Sequence, residues 1–413
     1  MRVKYVFKQV VTAQGRRALK GKDMNDLKVF SPGEIVVEGE KIVRAGEKSD
    51  FPADEEVNFT PWIAIPGLVD AHNHLVFAGY REDEFELKLK GVSYQEIARR
   101  GGGIKRTLSS TREASFEQLL KIVEERAFLF LSNGTTLCEA KSGYGLDRDT
   151  EIKQLRVAKK LNETSPLDVV PVFLGAHEVP PEKKKEDYIR ELVEEIMPAV
   201  KEEGLSDYFD IFCEEGVFSV EDMKFLFEKA RQFGFKLRAH AEEFSRLGSI
   251  PVAVEMGAVS VDHILNINED DIELLAKSET VAVLMPSVSF FLKLNKYAPA
   301  RQLIDKGAAV ALGTDFNPGS SPVENMFFVL WLAVFKLNMS MEEALIAATL
   351  NSAYVLGKAS QYGSLEEGKF ADFLVLELED YRHIFYRPGT NHLLKVFKKG
   401  KQLIDYSCLK GRG

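Results

Sequence analysis

The sequence predicts an α/β fold: a (β/α)8 barrel with a small β domain built from both chain ends. Three observations support this prediction. Short apolar runs alternate with amphipathic stretches, the alternation occurs eight times between Ala64 and Asp315, and strand-like segments occupy both ends of the chain. Alternating strands and helices favour a parallel sheet, and eight repeats favour a closed barrel. A doubly wound open sheet competes with this fold, but no GxGxxG motif follows the first strand.

The eight apolar runs are the predicted barrel strands. They are Ala64–His74, Gly134–Ser142, Asp168–His177, Tyr208–Glu214, Phe235–Ala241, Ala258–Ile264, Val281–Ser287 and Ala308–Asp315. Several stretches between and after them are predicted helices. Ser115 to Gln118 and Ser340 to Glu343 have the pattern of capping boxes, which mark helix starts.

The two chain ends are predicted to form one small β domain. Residues 33–43 are typical of short strands joined by a glycine-containing turn, and residues 371–376 and 393–397 are also strand-like. Neither end is long enough to form a good core alone. We therefore expect residues 1–60 and 366–413 to join beside a barrel formed by residues 61–365.

Composition excludes several classes of partner. The net charge is -9 with both signs interspersed, which argues against a nucleic-acid or anionic membrane surface. The apolar run Met326 to Phe335 is about half the ~20 residues of a membrane span, and the N-terminus has no signal-peptide pattern. The cysteines, Cys138, Cys213 and Cys408, form no CxxC pair. These features predict a reduced, cytoplasmic protein.

Polar residues mark the C-terminal ends of the predicted barrel strands. Five of the seven histidines lie there, together with an aspartate; they are His72, His74, His177, His240, His263 and Asp315. A lone histidine is more often a hydrogen-bonded structural residue. The C-terminal ends of barrel strands converge on one face, where active sites lie, so this group predicts a functional site.

The closely spaced pair His72 and His74 predicts a metal site. Residues two apart on a strand point to the same side. Three imidazoles and one carboxylate suit zinc or ferrous iron, with one position left for water that the ion makes easier to ionise. The predicted ligands are His72, His74, His240 and Asp315. Asp315 and Glu243, which lies three residues after His240, are both candidates for moving a proton.

Arg81 and a triple glycine follow the histidine pair. The Arg81 guanidinium suits a carboxylate, but pairing with the neighbouring acidic residues is an open alternative. The Gly101-Gly102-Gly103 segment lacks the GxxxxGK[ST] spacing. A mobile active-site loop is therefore predicted there instead of a phosphate loop.

Several motifs resemble the amidohydrolase superfamily, and together they cover most of the chain. They are the histidine pair, Phe77–Leu87, Gly101–Ile104, Lys141–Leu146, Phe173–Pro181, Phe212–Gly216, Ser260–His263 and Asp315–Ser321. The histidine pair alone would indicate only the superfamily. The arginine, tyrosine and asparagine motifs together are similar to the branch that opens an imidazolone ring in histidine breakdown.

This resemblance implies an activity and a set of residues for it. The activity is the hydrolytic opening of 4-imidazolone-5-propanoate to N-formimidoyl-L-glutamate. The implied substrate contacts are Arg81, Tyr144, His177, Glu243, Asn317, Gly319 and Ser320. The metal and His263 would stabilise the oxyanion, and Glu243 or Asp315 would pass the proton to the leaving nitrogen. Asn73 and Ser320 depart from the threonines expected at those positions, which leaves substrate affinity open.

The resemblance also bears on metal count and on rival functions. Binuclear members carry a carboxylated lysine near the end of the fourth strand, where this chain has Phe212-Cys213-Glu214-Glu215; Lys141 follows the second run instead. One metal ion per chain is therefore expected, with a small-molecule substrate, and a homodimer would be typical. A purine or pyrimidine deaminase would share the barrel and metal without needing Arg81, and a non-catalytic scaffold would be expected to lose metal ligands.

Overall fold

The computed structural model describes residues 1–92, 96 and 102–407, which form three β-sheets. Gly101 and Cys408, which enter the sequence argument, lie outside the described residues. The strands, numbered in chain order, are β1 Arg2–Phe7, β2 Gln9–Thr12, β3 Lys28–Phe30, β4 Gly33–Glu38, β5 Lys41–Glu47, β6 Glu55–Asn58, β7 Ile63–Pro66, β8 Leu68–Asp70, β9 Thr135–Lys141, β10 Asp168–Ala176, β11 Tyr208–Cys213, β12 Lys236–Ala241, β13 Ser260–His263, β14 Val281–Leu284, β15 Val310–Leu312, β16 Phe373–Leu376, β17 Leu393–Lys398 and β18 Lys401–Asp405.

The largest sheet is a parallel barrel whose strands follow one another in chain order from β8 to β15. Backbone hydrogen bonds just beyond the first and last strands close it. The Asp315 amide donates to the His72 carbonyl at 2.8 Å, and the His74 amide donates to the Phe316 carbonyl at 2.9 Å. The predicted fold class, a (β/α)8 barrel with β structure from both chain ends, is therefore confirmed.

Helices connect the barrel strands, as alternating periodicity predicts. They span Glu82–Leu89, Ile104–Glu113, Phe116–Ser132, Arg148–Thr164, Lys185–Glu191, Met197–Glu202, Val220–Gln232, Ser249–Glu255, Glu269–Lys277, Pro286–Phe291 and Ala300–Lys306, followed after the barrel by Met326–Leu337, Met341–Ile346, Ser352–Val355 and His383–Tyr386. Short turns of other helical types span Gly21–Asn25, Leu192–Ile196 and Ala347–Asn351. Both predicted capping boxes are confirmed at Ser115 and Ser340.

The two remaining sheets join the chain ends. One has the order β5-β4-β1-β6, and the other has the order β18-β17-β16-β7-β2-β3. Aromatic rings from both ends pack between these sheets; Phe373 and Phe397 stack with their centroids 4.2 Å apart, and Phe7 lies 5.4 Å from Phe59. This packing explains why neither end needs a core of its own. The domain limits at residues 60/61 and 365/366 stay a prediction.

The first predicted barrel strand, Ala64–His74, is two strands in the structure. Strand β7 pairs with β2 and β16 in a small sheet, and only β8 enters the barrel. Gly67 separates them, and a Cβ added there would lie 2.2 Å from the Thr136 Oγ1 atom. Glycine therefore permits the close backbone approach at this crossing. The single-strand prediction was wrong because both strands are buried on both faces and equally apolar.

The apolar run near the C-terminal third forms an ordinary core helix. It lies in helix Met326–Leu337, which has 12 residues and buries Val329, Leu330 and Ala333. Within the described residues, every helix is too short or too polar to cross a membrane.

Candidate active site

The C-terminal ends of the barrel strands surround a cavity of about 640 Å³. Its lining includes these predicted site residues: His74, Arg81, Tyr144, His177, His240, Glu243, His263, Asp315, Asn317, Gly319 and Ser320. The remaining one, His72, is fully buried with its ring centroid 4.5 Å from that of His240. The barrel thus brings together side chains that span some 250 positions of the sequence.

Buried nitrogen and oxygen atoms converge at one side of this cavity. One ligand atom from each of His72, His74 and His240 lies within 4.8 Å of the others. The Asp315 Oδ1 atom is 3.2 Å from His74 Nε2 and 3.4 Å from His72 Nε2. His72 Nε2, His240 Nε2 and Asp315 Oδ1 are buried and have no hydrogen-bond partner among the described residues. Buried polar atoms are normally paired, so this donor set fits a divalent cation.

The geometry also brings His263 close to the metal donors. His72, His263 and Asp315 form a second group with ligand atoms within 4.8 Å of one another. His72 and Asp315 are therefore suited to hold an ion with His240 or with His263. From the sequence, His240 is predicted to hold the ion and His263 to take part in the reaction, and the donor distances are compatible with this prediction.

Two aspartates that the sequence argument did not assign hold the metal-facing imidazoles from behind. His72 Nδ1 lies 2.6 Å from Asp262 Oδ2, and His240 Nδ1 lies 3.3 Å from Asp210 Oδ1. A carboxylate on one ring nitrogen keeps the proton there and leaves the other nitrogen free to bind a metal. A carboxylate inside an otherwise apolar strand, as at Asp210 in Tyr208–Cys213, was the signal that could have found them.

Two buried cations keep these aspartates ionised. Lys141 Nζ lies 2.5 Å from Asp210 and 2.9 Å from Glu139, while Arg238 lies 2.9 Å from Asp262 and also binds Glu139. Burial alone would raise the pKa of Asp262, but Arg238, His72 and Lys141 hold that pKa well below its ordinary value. The ionised aspartates can therefore accept hydrogen bonds from the imidazole Nδ1 atoms, although these side chains are all buried.

Burial keeps the histidine pair neutral. It lowers the pKa of His72 to about 3 and that of His74 to about 4, against an ordinary value of 6.5. Both pKa values lie below neutral pH, so both imidazoles are neutral there and each carries a single N–H proton. A neutral imidazole is the form that binds metal.

Glu243 and His263 lie side by side on the cavity wall. Glu243 Oε1 lies 3.5 Å from His263 Nδ1, and burial raises the pKa of Glu243 to about 7. The neighbouring Glu242 anchors the following turn, because its carboxylate accepts the amides of Leu247 and Ser249, both at 2.7 Å. A carboxyl group with a pKa near 7 both releases and takes up protons at neutral pH.

Backbone strain coincides with these residues. Glu242, His263 and Asp315 have φ values of 51°, 72° and 50°, in the left-handed region that most side chains avoid. Such conformations cluster at functional sites, where the surrounding structure maintains them.

Tyr144 and His177 form another wall of the cavity. Their ring centroids lie 5.4 Å apart, and His177 lies 5.2 Å from His74. The Glu151 carboxylate holds the loop that carries Tyr144, because it accepts the amides of Gly143 at 3.0 Å and Leu146 at 2.9 Å.

Arg81 pairs with a neighbouring acidic residue and also lies on the cavity wall. Its Nε atom pairs with Glu84 at 2.9 Å, and the residue also lines the cavity. A Cβ added to Gly319 would lie 2.6 Å from Arg81 Nη1, so the guanidinium packs directly on this glycine.

The loop after Asp315 is shaped by Asn317. Its Oδ1 atom accepts the amides of Gly319 and Ser320, both at 2.8 Å, and its Nδ2 atom donates to the Asp315 carbonyl at 2.7 Å. The structure thus gives Asn317 a loop-forming role in addition to its position on the cavity wall.

Asn73 also has a structural role. Its Nδ2 atom donates to Asp70 at 3.2 Å and its Oδ1 atom accepts the Leu75 amide at 3.1 Å. Asp70 in turn accepts the Thr314 hydroxyl at 2.6 Å. Asn73 therefore helps to hold the first barrel strand against the last, beside the two segments that carry His72, His74 and Asp315.

Comparison with known proteins gives concordant matches along the chain. The model of the amidohydrolase family matches residues 63–403. The chain is 42% identical to an imidazolonepropionase of Thermoanaerobacter pseudethanolicus, covering 97% of each chain. It is 41% identical to an imidazolonepropionase of Bacillus velezensis, covering 96% of this chain and 95% of the relative.

Solved structures share the fold at lower identity. An adenosine deaminase from Xanthomonas campestris with bound zinc superposes with a TM-score of 0.69 at 18% identity, covering 99% of this chain and 96% of that one. At this identity the likeness concerns the fold alone.

Proposed function

Because the chain belongs to the amidohydrolase family and its relatives at about 40% identity are imidazolonepropionases, we propose that it hydrolyses 4-imidazolone-5-propanoate in histidine degradation. Water adds to the ring carbonyl carbon, the ring C–N bond breaks, and N-formimidoyl-L-glutamate is released. The chain is thus a hydrolase acting on a carbon–nitrogen bond.

One observation carries this proposal: three of the four proposed metal donors, His74, His240 and Asp315, line the same cavity as Arg81. A guanidinium binds a carboxylate through two parallel hydrogen bonds. The substrate has a propionate at one end and the reacting carbonyl in its ring at the other. The cavity provides a cation for the first and a metal-binding group for the second.

His72, His74, His240 and Asp315 would hold one divalent ion. Such an ion acts as a Lewis acid and makes water easier to ionise at neutral pH. Asp262 and Asp210 keep the Nδ1 protons of His72 and His240 directed away from it. Zinc or iron would satisfy this donor set.

Lys141 supports a single ion per chain. The fourth barrel strand, Tyr208–Cys213, has no lysine, and the Lys141 ammonium reaches its Asp210 from the second strand at 2.5 Å. An ammonium paired with carboxylates stays charged and is a poor nucleophile for carbon dioxide. It occupies the barrel interior as a built-in cation, where a carboxylated lysine would instead be anionic.

Glu243 is the proposed main proton carrier. Its pKa of about 7 suits it to take a proton from water and return it to the leaving ring nitrogen. Asp315 is less suited: burial alone would raise its pKa, but the adjacent His72 and His74 imidazoles hold that pKa well below the ordinary value. His263, 3.5 Å from Glu243, is suited to stabilise the negative charge that develops on the carbonyl oxygen.

The other cavity residues would orient the substrate. Arg81, with Gly319 and Ser320 beside it, would bind the propionate. Tyr144 and His177 would contact the ring, and Asn317 would keep the loop after Asp315 in shape.

A substrate assay tests this function against its rivals. Purified, metal-loaded protein is expected to consume 4-imidazolone-5-propanoate and to leave guanine and cytosine unchanged. Turnover of a base alone would favour a deaminase of the same fold. A protein that binds no metal and consumes none of these compounds would favour a non-catalytic scaffold.

Replacing Arg81 by alanine tests the carboxylate contact. We expect KM to rise by roughly 10- to 100-fold, because hydrogen bonds to charged groups are among the stronger polar contacts. Metal content should not change, since within the described residues the polar partner of Arg81 is Glu84 and not a proposed metal ligand. Arg148→Ala is the matched control, because Arg148 is half exposed and pairs with Asp149. Loss of metal from Arg81→Ala would assign the residue a structural role instead.

A homodimer and a cytoplasmic location complete the proposal. Phe335 and Phe290 are 56% and 48% exposed, and rings of Phe328 and Trp331 lie beside them, forming an aromatic ridge that supports contact with a second copy. The molar mass measured in solution tests for this homodimer.

The cysteines support the cytoplasmic location. Cys138 and Cys213 are free and buried, as in proteins of reducing compartments.

A further inference from the structure

The end of the cavity that is proposed to bind the substrate carboxylate carries less net positive charge than Arg81 alone would give it. Arg81 and Glu84 are both buried and form an ion pair at 2.9 Å. The second Glu84 oxygen accepts the Gly103 amide at 3.0 Å. Arg81 thus supplies hydrogen-bond donors of the right shape, while Glu84 offsets its charge. An anionic substrate group binding here would need another positive charge nearby.

Lys88 lies where that charge is needed. It lines the same cavity, and its Nζ atom donates to the Gly319 carbonyl at 3.0 Å. Gly319 is also the residue on which Arg81 packs, with only 2.6 Å between a Cβ added there and Nη1. The two cations therefore contact the same glycine.

The Lys88 ammonium has donors to spare. An ammonium has three hydrogens, and the described residues provide one acceptor, the Gly319 carbonyl, and no carboxylate within ion-pairing distance of Nζ. By contrast, Lys90 on the same stretch is 63% exposed and pairs with Glu86 at 2.5 Å. Burial and the neighbouring Arg81 lower the pKa of Lys88, while the Glu84 carboxylate acts in the opposite direction.

We propose that Lys88 is a specificity-determining residue: with Arg81 it binds the carboxylate of the substrate and supplies the net positive charge that selects anionic substrates. This inference rests on the proposed function and extends it to a residue outside the implied substrate contacts. Arg81, Lys88 and Glu84 together have a net charge of about +1, which matches one propionate.

Lys88→Met tests the inference, with Lys90→Met as the matched control. Each variant removes one ammonium from the same region. For 4-imidazolone-5-propanoate, Lys88→Met is expected to raise KM roughly 10- to 100-fold with little change in kcat. For the corresponding propanamide, which is uncharged, KM should be the same in wild type and variant. Metal content should be equal in all proteins, and Lys88→Arg should recover most of the affinity for the acid.

Comparing KM for the acid with KM for the amide distinguishes an effect of the Lys88 charge from an effect on the local structure. An equal rise in KM for both compounds would reduce Lys88 to a support for the Gly319 loop and would overturn the proposal. Unchanged KM for the acid would also overturn it. Should Lys88→Met fail to fold, a folded Lys88→Gln variant decides instead: a rise in KM for the acid alone supports the proposal, and an equal rise for both compounds or no rise overturns it.

A binding measurement distinguishes failure of this proposal from failure of the proposed function. The probe is 3-(imidazol-4-yl)propanoate, which lacks the ring carbonyl and cannot be hydrolysed. If the wild type hydrolyses no imidazolone yet binds this probe more tightly than its amide, and Lys88→Met abolishes the difference, the function is wrong and the Lys88 inference stands. If wild type binds acid and amide alike, the Lys88 inference is wrong whatever the activity.

Discussion

Asp315→Asn is expected to lose most of the bound metal and to lower kcat/KM by about 1000-fold or more, as removal of several kcal/mol of stabilisation implies. Asp315 Oδ1 is buried, has no hydrogen-bond partner among the described residues, and lies 3.2 Å from His74 Nε2. Asparagine has the same shape but no charge, so it cannot balance the ion. Asparagine also tolerates the left-handed backbone at this position, where φ is 50°.

Metal analysis and steady-state kinetics on the same preparation check this result. Wild type should contain one metal ion per chain, and the variant far less, while its thermal unfolding stays cooperative. Asp305→Asn is the control, because Asp305 is exposed and pairs only with Arg301 among the described residues. A variant with full metal content would show that His72, His74, His240 or His263 suffice, and two tightly bound ions per wild-type chain would contradict the single-ion proposal.

Glu243→Gln is expected to lower kcat by roughly 100- to 10 000-fold, the usual contribution of a general acid–base residue. The glutamine side chain fills the same space but cannot carry a proton. Metal content should remain at the wild-type level, since Glu243 contacts His263 and none of the proposed ligands in the described structure. The comparison with Asp315→Asn therefore separates loss of the proton carrier from loss of the ion.

The pH profile provides a second measurement on Glu243. Burial raises its pKa to about 7, so the carboxylate that accepts the proton is lost as pH falls below that value. Wild-type activity should decline on the acidic side, and the glutamine variant should lack this limb. Glu255→Gln, at an exposed position on helix Ser249–Glu255, serves as control. A Glu243→Gln variant within about tenfold of wild type would make Asp315 the main proton carrier, in view of the usual size of such effects.

Much of the fold was predictable because it is a local property of the chain. Alternating apolar runs and capping residues marked the barrel strands and two helix starts, and β9 to β15 lie in seven of the eight predicted runs. The exception is the first run, which divides at Gly67 between two sheets. Both halves are buried and apolar, so no local pattern separates them; the backbone crossing beside Thr136 does.

Much of the candidate site was also predictable, from local sequence patterns and from resemblance to a family. Histidines at strand ends identify the mouth of a barrel, and resemblance to a family supplied the residues on the loops. Lys88 had no such signal, because its partner Gly319 lies 231 positions away. Asp210, Asp262 and Lys141 were missed as a group because they lie on three different strands, so no local pattern links them.

The sequence by itself therefore determined the barrel, the face on which the site lies, and the residue types available for a metal ion and an anionic substrate. These follow from periodicity and from the position of polar residues along the chain. Only the tertiary structure decided which charges neutralise one another: Glu84 with Arg81, and Lys141 with Asp210. Such pairing depends on strand register and barrel closure, because side chains contact across strands that are distant in sequence.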